Sequence, residues 1–449
     1  MKLVIVESPS KSQTIEKYLG AGYRVLASYG HVRDLPKSKL GVDLEHQYRP
    51  DYLVPTKAKK VLNQLIKEAK SAEIVLLATD PDREGEAIAW HISEAIKDKA
   101  ASTKFARVTF TEITAEAVKA AMAKPRELDQ HLIDAQQARR ILDRLVGYKL
   151  SPFLWKKVYK GLSAGRVQSV ATRLIVDRER LIQAFVPVNY WLIGVKLASQ
   201  GVEFLARLTE VAGQKLEPQA LIDAELAESY RQALEKARYQ IDSIKVRTIE
   251  RRALPPLTTS TLQQSASSQL GFSPKKTMVL AQQLYEAGRI TYMRTDSLNL
   301  SEAAIEQFRQ YISANFGPKY LPEKANYFKT KSKGAQEAHE AIRPTDINRT
   351  PDNLAGSADK DANRLYGLIW RRALACQMTA ASYEQTTVKI LAQATQVVLA
   401  AEPKPTDLSF GLTAGGQVEL FDGFTKVTRL AKASDGDEEI GRASCRERV

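Results

Sequence analysis

The chain has 449 residues, of which 44% are hydrophobic and 26% are charged, so it can bury more than one core, and disorder is excluded as its overall state. Its formal charge of +14 suits a polyanionic partner such as nucleic acid, although a basic surface that serves only solubility explains the charge equally well. Two cysteines without a CxxC pair exclude a disulfide framework and a cysteine-rich zinc site, and no apolar run reaches the roughly 18 residues of a membrane span, so we expect a soluble cytoplasmic protein.

The first 125 residues alternate strand-like and helix-like patterns. The β-rich runs LVIVES, RVLASYG, EIVLLATD and ARVTF are separated by helical patterns that include residues 57–70 and 86–98. This alternation predicts a parallel α/β sheet. In the second of these helices, Ile88, Ile92 and Ile96 recur every four residues, which predicts the face that packs on the sheet.

The next pattern, at residues 130–184, is helical and rich in arginine, as expected of a helical wall that faces DNA. From Asn189 to Arg251 the pattern is strand-like around one helical stretch at residues 219–237. Pro255 and Pro256 then break regular structure, and a mainly helical stretch follows to residue 378. Strand-like segments return after it, which predicts that the helical stretch is inserted into a β-rich domain.

We therefore predict a multidomain fold that combines α/β and α parts. Its segments are a parallel α/β domain at 1–128, a helical domain at 129–188, the first part of a β-rich domain at 189–253, a helical domain at 254–378, the return of the β-rich domain at 379–440 and a tail at 441–449. The tail, GRASCRERV, follows an acidic stretch, and we interpret it as unrelated sequence outside the fold.

Acidic residues collect where two predicted strands end. Glu7 follows the run LVIV, and Asp80 follows IVLLAT, so both should emerge at one edge of the sheet, where ligand sites collect. Asp82 and Glu84 come next, and such a density of negative charge needs a cation. Carboxylate oxygens in this arrangement suit Mg²⁺. The alternative is an acidic loop neutralised by Arg83, but two strands that each deliver an acid to one edge favour the metal site.

A tyrosine and an arginine stand close together in GRITYMRTDS. Tyr292 precedes Arg294 by two residues, so an extended chain points both side chains the same way. A phenolate that attacks phosphorus needs a nearby cation, and arginine offers two donors. The pair alone is a weak signal because most tyrosines near arginine are packing or surface residues. Further on, His339 and Arg343 share one face if the segment is helical, and they either contact a phosphate or form a solvated face.

Three segments, VIVESPSKSQTIEKYL, LATDPDREGEAIAWH and ITYMRTDS, together resemble the bacterial type IA DNA topoisomerases. Their order and spacing match the family, and LSAGRVQSVATRLI and AQEAHEAIRPTD look like two further signatures. The resemblance extends from residue 1 to about residue 430. It implies that residues 1–128 form a toprim-like domain, that 129–188 form the first half of a DNA-binding gate domain, and that the β-rich segments form an arch around the domain that carries the tyrosine.

The resemblance also implies roles for single residues. A catalytic Mg²⁺ is expected on four carboxylates: Glu7, Asp80, Asp82 and Glu84. Glu7 counts among the catalytic groups as well. Tyr292 matches the nucleophile that becomes linked to the 5′-phosphate, and Arg294 matches its phosphate-binding partner. Lys11 matches the lysine that stabilises the transition state and protonates the departing 3′-oxygen.

Other positions match the family's contacts with a single DNA strand. They are His31, Arg107, Arg139, Arg140, Asp143, Tyr148 and Trp155, then Ser163, Ala164, Gly165, Arg166, Val167 and Gln168 of the turn SAGRVQ, and His339 at the scissile phosphate. Arginines hold phosphates, and the two aromatic residues offer faces on which unpaired bases stack. The alternative is that both aromatic residues belong to a core between helices. Gly165 lets the backbone approach the strand closely.

The implied activity is relaxation of negatively supercoiled DNA through transient single-strand cleavage, a 5′-phosphotyrosine intermediate, strand passage and religation. The sequence contains no GxxxxGK[ST] motif, so ATP is not expected. The expected partner is single-stranded or negatively supercoiled DNA at the bacterial nucleoid, with no membrane, and the chain is expected to act as a monomer.

Several alternatives stay open at this point. A topoisomerase III type that decatenates DNA belongs to the same family, and a toprim nuclease or primase explains the acidic cluster without the tyrosine. A single-strand binding protein without catalysis explains the charge but not the four carboxylates. The sequence departs from the family at its end, where the second half of the gate domain and the zinc-ribbon modules are not found. We therefore expect this chain to bind single-stranded DNA and to cut it weakly, but to relax negatively supercoiled plasmid far more slowly than a longer parent.

Overall fold

The computed structural model describes residues 1–97, 99–100, 103–199, 201–329, 340–354, 359–399 and 402–428. The chain divides into two compact units, one of residues 1–181 and 254–377 and the other of residues 182–253 and those from 378 onward. The stretch 254–377 therefore interrupts the second unit in sequence. The six segments defined from the sequence are finer than this division and stay a prediction, and the tail at 441–449 lies outside the described residues.

The first unit begins with an α/β layer. In chain order its elements are β1 (Lys2–Val6), α1 (Pro9–Leu19), β2 (Tyr23–Ala27), β3 (Val42–Asp43), β4 (Arg49–Pro50), α2 (Thr56–Ser71), β5 (Ile74–Leu77), α3 (Arg83–Lys97), β6 (Lys104–Arg107) and α4 (Ala115–Met122). Four of the strands form a sheet in the order β2-β1-β5-β6, and every pair in it is parallel. The predicted parallel α/β sheet is confirmed. Strands β3 and β4 pair with each other in a separate short ribbon.

Apolar periodicity explains how this sheet is covered. Leu3 and Ile5 of β1 are completely buried, as expected for a parallel strand with helices on both faces. Ile88, Ile92 and Ile96 of α3 belong to the same core, which confirms the predicted packing face. Burial of apolar surface thus fixes β1, β5 and α3 against one another, and with them the positions at which β1 and β5 end.

Two long helices follow, α5 (Gln130–Lys157) and α6 (Arg166–Gln183). The Asp129 carboxylate caps α5 by accepting hydrogen bonds from the backbone N–H groups of His131 and Leu132, which otherwise lack partners at a helix start. Of the described residues of α6 none is buried. The predicted helical stretch is confirmed, and it presents most of its side chains to solvent.

The β-rich stretch that comes next contains β7 (Gly194–Ser199), β8 (Val202–Val211), β9 (Gln214–Lys215), α7 (Ala224–Glu235) and β10 (Arg238–Arg251). Asp223 caps α7 through the backbone N–H groups of Glu225 and Leu226. The helix lies inside the stretch at 219–237 for which a helical pattern was predicted, and strands occupy both sides of it.

The stretch from residue 254 is mainly helical, as predicted. Its helices are α8 (Thr259–Leu270), α9 (Pro274–Glu286), α10 (Glu302–Phe316) and α11 (Lys360–Ala375), with short 3-10 turns at Pro318–Tyr320 and Asp352–Leu354. Ser273 caps α9, and Pro274 occupies its first turn, where a missing N–H costs nothing. Tyr292 lies in the connection between α9 and α10.

The chain then returns to the second unit through β11 (Ala381–Leu399), β12 (Glu402–Phe421) and α12 (Thr425–Thr428). The main path of its sheet runs β10-β11-β12-β8-β7, with every pair antiparallel, and β9 pairs with β8. Phe410 is fully buried in the core and packs edge-on against Tyr230 of α7. Within the described ranges, no helix combines the length and apolar character that crossing a bilayer requires.

Candidate active site

The strand order brings the predicted carboxylates to one edge of the parallel sheet. Strands β1 and β5 are parallel neighbours, so Glu7 and Asp80, which follow them, leave the sheet side by side. Glu7 Oε1 accepts a hydrogen bond from the Asp80 backbone N–H at 3.0 Å. Asp82 directly precedes α3, and Glu84 lies in the first turn of that helix.

Lys11 in α1 joins the first two carboxylates. Its side chain is 1% exposed, and its ammonium donates to Glu7 Oε2 at 2.6 Å and to Asp80 Oδ1. Burial opposes the charge of Lys11, but the negative charges of Asp80 and Glu7 raise the pKa of the ammonium above its ordinary value. Lys11 is therefore charged and holds the two carboxylates together.

One ammonium is not enough to balance these acids. Burial, followed by the charge of Glu7, raises the pKa of the Asp80 carboxyl to about 7, although Lys11 acts in the opposite direction. Asp82 adds further negative charge nearby. The edge of the sheet therefore has an excess of negative charge that an additional cation would relieve.

The tyrosine reaches this edge from the segment between α9 and α10. Tyr292 is 3% exposed, and its hydroxyl donates to Asp82 Oδ2 at 2.6 Å. Its backbone N–H donates to the Thr111 carbonyl at 2.8 Å, which fixes the segment to the α/β layer. Burial, and then the charges of Asp80 and Asp82, raise the pKa of the Tyr292 phenol well above its ordinary value. The phenol is therefore protonated in this arrangement.

Arg294 lies on the same side, as the extended-chain argument predicts. Its Nη1 is 3.6 Å from Asp82 Oδ2, the oxygen that accepts the Tyr292 hydrogen bond. About half of the side chain is exposed, so the guanidinium can also meet an incoming phosphate. The structure thus brings Tyr292, Arg294 and Asp82 together.

Glu84 is held differently from the other acids. Gln136 donates to its Oε2 at 3.1 Å, Arg139 donates to its Oε1 at 3.3 Å, and the His31 imidazole lies 3.7 Å away. His31, and after it Gln136 and Arg139, lower the pKa of the Glu84 carboxyl to about 2 against the effect of burial. This carboxylate is ionised and committed to the helical wall.

The predicted four-carboxylate metal site stays a prediction. Among the described residues, no three or more His, Cys, Asp or Glu side chains are grouped closely enough to hold one ion. In the described arrangement Lys11 donates to both Glu7 and Asp80, and Arg139 contacts Glu84. A Mg²⁺ site can use as few as one or two protein carboxylates when water and phosphate complete the shell of the ion.

A cleft of about 820 Å³ opens beside these groups. Its walls include Glu7, Asp80, Asp82 and Glu84 on one side and Arg294 with residues of α9 on the other. A second cavity of about 330 Å³ is lined by His31, Arg33, Asp34, Tyr52, Glu84, His91, Gln136, Arg139, Arg140 and Asp143. His31, Glu84 and Arg139 line both spaces, so the acids and the helical wall border connected surfaces.

The arginines predicted on the helical wall are paired with acids. Arg140 Nη2 donates to Asp34 Oδ1 and Oδ2 at 2.7 and 2.9 Å, and Arg166 donates to Asp143 at 2.9 Å. Arg139 lies between Glu84 and Asp143. These side chains are about 40% exposed, and ion pairs at such positions are weak. A DNA phosphate can therefore compete for them.

The two aromatic residues of the wall are exposed. Tyr148 is 36% and Trp155 46% exposed, so the alternative that they form a core between helices is wrong. The Tyr148 hydroxyl donates to the Lys37 carbonyl at 2.5 Å, and the Trp155 indole N–H donates to the Leu162 carbonyl at 2.6 Å. Both rings are thus held by their polar ends, and the Arg144 guanidinium lies over the Tyr148 ring at 4.9 Å.

The turn SAGRVQ joins α5 to α6. Ala164 is buried, and its backbone N–H donates to the Ser151 hydroxyl of α5 at 3.1 Å. Gln168 donates to the Ser163 hydroxyl at 3.1 Å, and Val167 is 65% exposed. A Cβ added at Gly165 would lie 2.8 Å from the end of the Gln168 side chain, which is flexible and can move aside, so this contact does not require glycine.

Arg107 is the predicted DNA contact that the structure corrects. It is completely buried, and its guanidinium donates to the backbone carbonyls of Leu77, Thr79, Asp80 and Val108 and to the Glu86 carboxylate. With its donors bound inside the protein, Arg107 does not face a DNA strand. It supports the backbone that carries Asp80 instead.

The last predicted contact, His339, lies outside the described residues. Arg343 is described, and its segment is not helical: Ile342 pairs with Leu257, and Pro344 pairs with Ile290, in single β-bridges. Arg343 is 5% exposed and forms ion pairs with Glu112 and Glu340. The idea of a solvated helical face is therefore wrong for Arg343.

Sequence reasoning missed two features of the site. Glu86 is 1% exposed and binds both Arg107 and Arg126, although a glutamate in the first turn of a helix is ordinarily a surface residue. Tyr285 of α9 contacts both Lys11 and Tyr292. It falls within the apolar periodicity of its helix, so it was indistinguishable from a core residue.

Comparisons with known proteins agree with the resemblance stated above. A family model described as DNA topoisomerase matches residues 127–444, and a Toprim domain model matches residues 2–113. The chain is 46% identical to the DNA topoisomerase 1 of Rickettsia felis over 98% of its own length and 56% of that protein, and 44% identical to that of Pasteurella multocida over 100% and 53%. It thus spans about half the length of these curated relatives.

A solved structure is similar as well. The full-length topoisomerase I of Thermotoga maritima matches with a TM-score of 0.78 and 38% identity, over 98% of this chain and 70% of that one. This likeness covers nearly all of the chain, including both sides of the cleft. A Toprim domain is a metal-binding domain, which agrees with the excess of negative charge at the edge of the sheet.

Proposed function

The chain belongs to the DNA topoisomerase family, and we propose that it is a type IA enzyme that cuts one DNA strand with Tyr292, lets DNA pass and reseals the break. The observation that carries this proposal is the hydrogen bond of 2.6 Å from the Tyr292 hydroxyl to Asp82, in a cluster that also contains Lys11 and Asp80. A buried tyrosine with an acceptor for its proton and cations beside it is equipped to attack phosphorus.

Cleavage exchanges one ester bond for another. The Tyr292 oxygen bonds to phosphorus while the bond from phosphorus to O3′ breaks, which leaves a 5′-phosphotyrosine and a free 3′-hydroxyl. Asp82 takes the phenol proton, because it is already the hydrogen-bond acceptor, and Lys11 gives a proton to the departing 3′-oxygen. Religation reverses the same steps. Since the phosphotyrosine bond conserves the energy of the broken one, no ATP is required.

The raised pKa of Tyr292 constrains the order of events. A free phenolate is disfavoured beside Asp80 and Asp82, so proton loss has to accompany the attack on phosphorus. Arg294 acts on the pKa of Tyr292 in the opposite direction and can disperse charge on the phosphoryl oxygens. Cations around the phosphate are therefore expected to speed the attack of Tyr292 on phosphorus.

We infer that Asp80 and Asp82 would hold a Mg²⁺ ion at this edge of the sheet, Asp82 through the oxygen that does not accept the Tyr292 hydrogen bond. A Mg²⁺ ion bound there would neutralise carboxylate charge and polarise phosphate oxygens. Glu7 keeps its ion pair with Lys11 and positions that ammonium. Glu84 keeps its ion pair with Arg139 of the helical wall and positions that guanidinium. This division of roles follows from the contacts that each acid makes.

The proposed substrate is single-stranded or negatively supercoiled DNA, which the chain binds as a monomer. Arg139 and Arg140 exchange their acidic partners for phosphates, and Tyr148 and Trp155 offer ring surfaces for stacking with bases. Negatively supercoiled DNA opens readily into single strands, so the same path serves relaxation. The site of action is then the bacterial chromosome.

A covalent-complex assay tests the proposal. A single-stranded oligonucleotide labelled at its 3′ end is incubated with the chain and Mg²⁺. The labelled fragment is the one that stays linked to Tyr292 through its 5′-phosphate, and the adduct is resolved on a denaturing gel. Tyr292→Phe should lose the adduct while keeping single-strand affinity within a few fold, because only the attacking oxygen is removed. The matched control is Tyr327→Phe, since Tyr327 is 68% exposed and should be dispensable.

Omitting Mg²⁺ and adding a chelator gives the second arm. Loss of the adduct in the presence of the chelator supports the metal site. Strand cutting by Tyr292→Phe without an adduct would favour a toprim nuclease instead, and an undiminished adduct in that variant would refute Tyr292 as nucleophile.

A further inference from the structure

Tyr285 is a buried tyrosine with an unused hydroxyl. The residue is 0% exposed, and among the described residues its hydroxyl has no hydrogen-bond partner. Buried polar groups in folded proteins are nearly always paired, and leaving one unpaired destabilises the fold. A tyrosine kept here in place of phenylalanine therefore points to a use for the oxygen.

The ring contacts two groups of the proposed reaction. The Lys11 ammonium is 5.2 Å from the centre of the Tyr285 ring, a distance at which a cation is attracted to the face of an aromatic ring. The ring of Tyr292 stands edge-on at 5.1 Å with an angle of 64°, which is a favourable aromatic pairing. Tyr285 thus contacts the ammonium and the nucleophile at once.

The Tyr285 phenol lies within electrostatic range of the acidic cluster. Apart from burial, the charges of Asp80, Glu7 and Asp82 raise the pKa of the Tyr285 phenol well above its ordinary value. The hydroxyl is therefore a neutral O–H group and can donate one hydrogen bond to a carboxylate. In the described arrangement Lys11 already donates to Glu7 and Asp80. The Tyr285 O–H is therefore an additional donor that these carboxylates do not use.

The fold holds this residue firmly. Leu284 and Ala281 of α9 are buried beside it, and the Thr14 hydroxyl of α1 donates to the Glu286 carbonyl at 3.5 Å, at the end of α9. Helix α1 also carries Lys11. Helix α9, which carries Tyr285, is therefore linked to helix α1, which carries Lys11. This link helps to fix the position of Tyr285 relative to Lys11.

We propose that Tyr285 is a positioning residue, whose ring aligns Lys11 with Tyr292 and whose hydroxyl donates one hydrogen bond, to the Glu7 or the Asp80 carboxylate, when the Lys11 ammonium turns to the phosphate. This inference rests on the proposed function, in which Lys11 serves the departing 3′-oxygen. The replacement donor compensates that carboxylate for the ammonium that it loses. Without it, Lys11 would be held back by its acidic partners, and cleavage would slow.

The test compares two buried tyrosines that differ in one respect. Tyr285→Phe removes a hydroxyl without a protein partner, whereas Tyr366→Phe removes one that donates to the Arg349 carbonyl at 2.7 Å, on a residue that is 1% exposed. For each variant of the full chain, single-turnover cleavage of a labelled oligonucleotide and the thermal unfolding midpoint are measured.

Opposite outcomes are expected. Tyr285→Phe should unfold at the same temperature as the unmodified chain or higher, yet cleave about 10- to 100-fold more slowly, which is the rate equivalent of one hydrogen bond to a charged group. Tyr366→Phe should unfold at a lower temperature and cleave at the normal rate. Cleavage by Tyr285→Phe within twofold of normal would overturn the inference, and so would a lowered unfolding temperature, because the hydroxyl would then have a structural partner.

A readout that does not depend on cleavage separates this inference from the proposed function. The single variant Tyr292→Phe is compared with the double variant that also contains Tyr285→Phe. The oligonucleotide with Mg²⁺ should raise the unfolding temperature of the double variant less, because its DNA-bound state lacks the hydrogen-bond donor of Tyr285. Equal shifts in the two proteins would overturn the role of Tyr285 even if the chain forms no adduct. Failure of the unmodified chain to form an adduct, with unequal shifts, would count against the proposed function alone.

Discussion

Replacing Glu86 with glutamine perturbs the buried ion cluster beneath the Asp80 backbone. Glu86 accepts four hydrogen bonds: from Arg107 Nε at 2.8 Å, from Arg126 Nη1 and Nη2 at 2.8 and 2.9 Å, and from the Asp129 backbone N–H at 2.8 Å. Each carboxylate oxygen accepts two of them. Glutamine has the same shape but offers only one oxygen, so its NH₂ group would face two donors.

The magnitude follows from this geometry. Two of the four hydrogen bonds are lost, each worth about 1.5–3 kcal/mol because the partners are mostly charged. Arg107 is fully buried and would lose its carboxylate, and breaking such a buried pair costs about 3–5 kcal/mol. Arg126 is 40% exposed, so water replaces part of its interaction. We expect the free energy of unfolding to fall by about 3–5 kcal/mol, a large share of the roughly 5–15 kcal/mol typical of a folded protein.

Urea denaturation followed by circular dichroism measures the loss, and hydrogen exchange read by mass spectrometry locates it in β5 and α3. The matched control is Glu94→Gln on the same helix, where the carboxylate is 37% exposed and its partner Lys97 is 58% exposed. That change should cost less than about 0.5 kcal/mol. If Glu86→Gln were as mild as the control, the buried cluster would not hold the Asp80 backbone, and the reasoning would be refuted.

Two further predictions use other parts of the chain. Gly288→Ala should destabilise the protein more than Gly271→Ala in the same urea assay, because both glycines have positive φ but only at Gly288 would a Cβ meet a backbone atom, the Ile113 carbonyl oxygen at 2.4 Å; equal losses would show that the contact is unimportant. Cys376 is buried, and burial raises the pKa of its thiol to about 12, so at pH 8 it stays protonated. In a variant whose other cysteine is serine, a thiol reagent should react only after urea unfolds the protein, and rapid reaction of the native protein would contradict the assignment.

The amino-acid sequence by itself determined the α/β layer and the place of its acids. Apolar residues at strand spacing identified the runs LVIVES and EIVLLATD as strands, and apolar residues at helix spacing identified the packing face of α3. Both patterns can be read from the sequence because they repeat within a few residues. Glu7 and Asp80 could be assigned to one sheet edge because strand direction alone decides where parallel strands end. The family motif around Tyr292 supplied the proposed nucleophile, which neither spacing nor composition singles out among 17 tyrosines.

Only the tertiary structure decided what each charged group contacts. Arg107 is a buried support and not a DNA contact, and Glu84 binds the helical wall while Lys11 takes the place between Glu7 and Asp80. Tyr285 became visible only as a neighbour of Lys11 and Tyr292. The physical reason is distance along the chain. Apolar periodicity repeats within one helix or strand, whereas Asp82, the hydrogen-bond partner of Tyr292, lies 210 residues away in sequence. Such pairs depend on how the elements pack together, and the burial that packing creates sets both the hydrogen bonds and the pKa shifts of the site.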